Sequence, residues 1–100
     1  MKKITLIALL LSSTQTFAAL EYTGELVENE TSFKELCTAI NNADDRCANA
    51  EQYILAGVLL PNDKAVNVVV KKEEFPSIEG KKVRATFDQP NPIGTVVEVF

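Results

Sequence analysis

The sequence predicts a small, mainly β domain of the α+β kind: a five-stranded antiparallel barrel or curved sheet with one helix after the first strand. Three observations lead there. Period-two alternation of apolar and polar residues recurs in several short runs, turn-forming Gly, Pro, Asn and Asp separate those runs, and one stretch alone has helical spacing. The sheet is taken to fold as a single unit because little chain is left once an export signal is set aside.

That signal occupies residues 1–18. Lys2 and Lys3 form a positive start, Ile4 to Leu11 is an apolar run broken by Thr5, and Ser12 to Gln15 is polar before Thr16-Phe17-Ala18. Charge, apolar stretch and small residues at the −3 and −1 positions are the order a signal peptidase reads. The apolar run is too short for a membrane helix, which needs roughly twenty residues. No cysteine lies near the cut, so a lipid-modified terminus is not expected, and no membrane anchor should remain after cleavage. The expected destination is the periplasm of a Gram-negative-type bacterium, or secretion beyond it. Cleavage leaves 82 of the 100 residues, 19–100, as one domain.

A domain of that size buries too little apolar surface to be comfortably stable, so a further constraint is expected. Cys37 and Cys47 supply a candidate. An isolated pair in an exported chain reads as a disulfide, and closing so short a loop should stabilise the fold by roughly 3 kcal/mol. Removing Lys2 and Lys3 leaves eight cations against fourteen acids, a net charge of −6, which argues against general nucleic-acid binding.

The elements follow in order. Tyr22 to Val27 alternates as a first strand with Tyr22 and Leu26 inward. Ser32 and Glu35 make a capping box, and Phe33, Leu36, Cys37 and Ile40 share one face of a helix over 33–40. Asp44 can cap a further helical turn in Ala43 to Cys47, and a bridge to Cys37 would fold Asn41 to Arg46 back over the helix. Tyr53 to Leu60 is apolar on both faces, the mark of a central strand, and Gly57 within it suggests a bulge or bend. Pro61 to Lys64 is a turn, after which Ala65 to Lys72 carries Val66, Val68 and Val70 on one face. Glu73 to Gly80 connects, with Phe75 and Ile78 tucked beneath it. Val83, Ala85 and Phe87 alternate in a fourth strand, Gln89 to Gly94 links onward, and Thr95 to Phe100 closes the chain as a fifth.

Gly80-Lys81-Lys82-Val83-Arg84-Ala85-Thr86-Phe87 followed by Thr95-Val96-Val97-Glu98-Val99-Phe100 resembles the last two strands of small secreted OB-fold proteins, and Tyr22-Thr23-Gly24-Glu25-Leu26 is similar in kind to their opening strand. The resemblance implies a small Greek-key barrel with a ligand-binding or interaction role. OB-folds usually carry their helix between the third and fourth strands, whereas the helix read here follows the first. A cystatin-like sheet with a packed helix is therefore the competing architecture.

Chemistry is narrowed by what is missing. The chain has no His, which removes His-based nucleophile pairs, His-ligated zinc and the usual neutral-pH base. The ten-residue cysteine spacing is not that of a Cys-x-x-Cys redox motif. Asn41 to Glu51 is oxygen-rich but lacks the EF-hand spacing and glycine, so no metal or cofactor is expected. The candidates left are a contact loop at Pro90, Asn91, Pro92 and Ile93, and a basic patch of Lys71, Lys72, Lys81, Lys82 and Arg84 should their strands be neighbours. These suit a non-enzymatic binding or interaction module whose partner is an envelope protein or a small anionic ligand, with inhibition of an envelope-directed hydrolase as a variant. The remote enzymatic alternative is a carboxylate-only glycan hydrolase, which would need two facing carboxyls about 5–9 Å apart. If the export reading holds, protein collected from the periplasm begins at Ala19 by mass spectrometry, and neither cysteine reacts with an alkylating reagent until a reductant is added.

Overall fold

A computed structural model describes residues 3–4, 20–88 and 91–100; most of the expected signal segment and Pro90 of the contact loop lie outside them. The elements run β1 (Lys3–Ile4), β2 (Leu20–Asn29), α1 (Phe33–Ala39), a 3₁₀ segment (Asp45–Gln52), β3 (Tyr53–Leu59), β4 (Ala65–Lys71), α2 (Phe75–Ile78), β5 (Lys82–Phe87) and β6 (Gly94–Val99). Sheet order is β1-β2-β3-β4-β6-β5, and β2 also pairs with β5, so the last five strands close into a barrel of OB-like topology with β1 added outside.

Closure depends on one long strand serving two neighbours. The first half of β2, Leu20 to Glu25, pairs antiparallel with Phe87 to Lys82 of β5, while Glu25 to Glu28 pairs antiparallel with Leu59 to Ala56 of β3. At the changeover stands Gly24, where any Cβ would collide with the carbonyl oxygen of Leu59. A glycine is required there because two backbones meet at a barrel corner.

Alternation sorts the side chains of β2 to β5 between the two faces. Leu26, Val58, Val68, Val83, Ala85 and Phe87 fill the barrel interior, with Tyr22 edge-on to Phe87 at 5.5 Å. A second cluster lies outside the barrel, where Phe33, Leu36 and Cys37 of α1 cover Leu55 and Val69 on the outer face of β3 and β4. Because both faces of β3 are covered, it reads as a continuous apolar run.

Three expectations are corrected. The sheet is mixed, not wholly antiparallel: β4 and β6 run parallel, pairing Val68 with Gly94 and Val69 with Thr95. A second helix, α2, stands between β4 and β5, the place an OB-fold gives its helix; four residues starting at Phe75-Pro76 are too few to show a period. Gly57 is not a bulge, since β3 and β4 keep one register from Tyr53–Lys71 to Leu59–Ala65. The closed barrel also excludes the open cystatin-like sheet. The capping box is present, with Ser32 Oγ accepting the Glu35 N–H at 3.1 Å.

Introducing a side chain at the closure point should be costly. Gly24→Ala is expected to lower stability by about 1–3 kcal/mol, and Leu36→Ala, which empties part of the outer cluster, by about 2–5 kcal/mol. Urea unfolding of both variants measures these losses, and a Gly24→Ala protein as stable as the wild type would contradict the closure geometry.

Candidate functional site

The long β2–β3 connection is pinned down at two places. Cys37, on the buried face of α1, is disulfide-bonded to Cys47 in the 3₁₀ segment, with Cα atoms 5.7 Å apart, so the polar Asn41 to Arg46 stretch folds back over the helix as the sequence implied. Asn41 and Asn42 make this reversal with φ of 55°, a left-handed conformation asparagine tolerates.

The second pin is electrostatic. Asp44 caps the 3₁₀ segment, its Oδ1 accepting the Arg46 N–H and Nε–H at 2.9 Å each and its Oδ2 accepting Arg46 Nη2 at 2.7 Å. Asn91 Nδ2 donates to the same Oδ2 at 2.9 Å. Arg46 reaches on to the start of β6, donating from Nη2 to Ile93 O at 3.2 Å and from Nη1 to Gly94 O at 3.1 Å and Thr95 Oγ1 at 2.9 Å. One guanidinium therefore joins the disulfide loop to the β5–β6 loop, and its fork of donors is what makes that possible. The Arg46 hydrogen bonds, with those from Asn91 and the Arg46 backbone, hold the Asp44 carboxyl well below its ordinary 3.8, overcoming the opposing effect of burial. Asp44 thus keeps its charge and is unsuited to donate a proton as a general acid.

The candidate residues separate. In the contact loop, Ile93 is 2% exposed within the outer cluster and Asn91 is committed to Asp44, so these two anchor the loop and of the described residues Pro92 is left partly exposed. The basic residues are spread over several elements. Lys71 stands on the rim of a groove beside β6, whereas Lys72 lines a different hollow with Glu28, Glu30 and Glu51. Arg84 is paired with Glu98 at 3.0 Å and Glu21 at 3.3 Å, and Lys82 lies over the Phe100 ring. β4 and β5, whose ends carry Lys71 and Lys82, are not neighbours, since β6 lies between them.

The surface that does assemble was not singled out from sequence. Beyond Thr95, β6 pairs with β5 alone and leaves β4, opening a groove of about 550 Å³. Val70, Lys71 and Ile78 form one wall and Val96, Val97 and Val99 the other, with Tyr53 and the clamp residue Arg46 also lining it. Val97 is the extra residue of a bulge, because Ala85 pairs with Val96 and Arg84 with Glu98. Val99 stands opposite Val83, a barrel-interior residue, yet is itself exposed. Val97, Val99 and Phe100 are 49%, 41% and 61% exposed, the three large apolar side chains so placed among the described residues. The Val-rich run of β6 signalled a strand; only its partial pairing makes it a surface. Among the described residues no cluster of His, Cys, Asp or Glu could hold a metal ion.

No protein-family model, curated protein or solved structure matches the chain.

Breaking the clamp should unfasten both loops. Asp44→Ala leaves Arg46 half-enclosed without its anion and is expected to lower stability by about 2–4 kcal/mol at neutral pH. Because the folded carboxyl titrates below the unfolded one, the unfolded chain takes up the proton first, and the stabilisation is lost as pH falls through and below about 4. The stability difference between wild type and Asp44→Asn, measured by denaturant unfolding, should therefore shrink from pH 7 toward pH 2; a constant difference would refute the assignment.

Proposed function

We propose that this protein is a non-enzymatic interaction module of the bacterial envelope, delivered there by residues 1–18 and engaging a protein partner through the β4–β6 groove. The carrying observation is that groove: an apolar floor left open where a barrel seam ends, rimmed by Lys71, Glu74 and Glu98 and continued by the exposed Val97 and Val99. Exposed apolar residues contiguous on one strand of a small domain are a contact surface more often than chance decoration. A protein partner suits this surface better than a small anion, because its centre is valine while Arg84 and Arg46 are already neutralised by carboxylates.

The disulfide and the Asp44–Arg46 clamp support the same reading. They hold the base of the groove in a fixed shape, which lowers the ordering cost of binding. The absence of His and the commitment of Asp44 to structure are in keeping with a role that needs no proton transfer.

A charge placed on the groove wall is the direct test. Immobilised wild-type protein and its Val99→Glu variant are exposed to an envelope extract, with folding of both checked by circular dichroism. A species retained by the wild type and held about tenfold less by the variant, a loss of about 1.4 kcal/mol, is the expected outcome. If the wild type retains nothing the variant does not, the groove is not a partner site.

A further inference from the structure

Gly57 is a strand glycine that neither a turn nor barrel closure explains, and what stands over it is the chain's own leader. A Cβ at Gly57 would collide with Cδ1 of Ile4. Ile4 is held there because β1 runs parallel to the end of β2, with Lys3 opposite Glu28 and Ile4 opposite Asn29, and Glu30 donates its N–H to Ile4 O at 2.8 Å.

The position is on the outer face of the barrel. Gly57 is in register with Val27 of β2 and Asn67 of β4, while the alternate residues Leu26, Val58 and Val68 point inward. Val27 and Asn67 are nevertheless buried, at 1% and 3% exposure. Nearby, Asn29 Nδ2 donates to Asn67 Oδ1 at 3.5 Å and Asn29 Oδ1 accepts the Thr31 N–H at 2.9 Å, so this end of β2 is built and ordered.

The edge of β2 is available there for a simple reason. Pairing with β5 stops at Glu25, and Leu26 is met by Lys81 and Gly80, so among the described residues Glu28 to Glu30 meet β1 on that side. A sheet edge presents main-chain donors and acceptors at strand spacing, a pattern that another extended polypeptide satisfies. Here the notch at Gly57 adds a side-chain requirement, and Lys3 stands in register with the acidic Glu28.

We propose that the Glu28–Glu30 edge and the Gly57 notch form a strand-accepting site, filled by Lys3–Ile4 before processing and afterwards by an extended segment of a partner polypeptide. The segment lies parallel to β2, with a cation opposite Glu28 followed by a branched apolar residue in the notch. The site rests on the leader being removed, as proposed above, but not on the β4–β6 groove. Cleavage would take β1 away and open the notch at Gly57, so the leader both guards the site and displays the chemistry that fits it.

The test uses the protein as the cell makes it. The full gene is expressed, the product is isolated from the envelope fraction, its first residue is read by mass spectrometry, and a synthetic peptide copying residues 2–6 is titrated while amide resonances are followed. A product beginning near Ala19 whose Gly57 and Glu28 to Glu30 amides shift saturably, with no shift from a peptide carrying Asp in place of the isoleucine, is the expected result. Gly57→Val should abolish the shifts by filling the notch, and Glu28→Lys, which leaves packing intact, should weaken binding about two- to fivefold. A product beginning near Ala19 whose amides do not move overturns this inference alone. A product beginning at Met1 overturns it together with the export premise.

Discussion

The structure depends on β2 being shared. A strand of ten residues gives its first half to β5 and its second half to β3, and this double pairing converts a curved sheet into a barrel with an interior. The apolar side chains of five strands then point at one another, and the period-two pattern acquires a purpose. The requirement falls on a single backbone crossing, where Gly24 lets β2 pass the Leu59 carbonyl. The same closure exhausts the chain: β6 seals the seam against β4 over two residue pairs and then diverges, and the groove exists because the seam is short.

What surrounds the barrel is fastened by means suited to a small domain. The outer cluster of Phe33, Leu36, Cys37, Leu55, Val69 and Ile93 is a second core, extended by the edge-on contact of Phe33 with Tyr53. It draws on α1, two strands and a loop far apart in sequence. The disulfide ties α1 to the 3₁₀ segment, and Arg46 ties that segment to the loop carrying Ile93. A covalent bond, a charged clamp and an apolar anchor thus converge on one end of the barrel. Restraint of this kind is valuable where burial alone is marginal.

Elements that depend on local chemistry were legible in advance. The capped helix over 33–40 differs from the observed Phe33–Ala39 by its terminal residue, and the disulfide pairing follows from there being two cysteines in the chain. The inward faces of β4 and β5 were also correct, because alternation is written into Val66, Val68 and Val70 and into Val83, Ala85 and Phe87. Elements that depend on distant partners were not. The contact loop looked exposed from its prolines, but Ile93 needed a pocket that α1, β3 and β4 build jointly. The basic patch required its strands to be neighbours, and β6 lies between β4 and β5.

Sequence by itself therefore determined the mainly β class, the strands and their buried faces, the first helix and the covalent link, since each is decided within a few residues by periodicity, capping or valence. Tertiary structure alone decided the parallel seam, the role of Asp44 and Arg46, the groove beside β6 and the notch at Gly57. Each of these is a meeting of backbones or charges separated by dozens of residues, and no local pattern encodes which edge will lie against which.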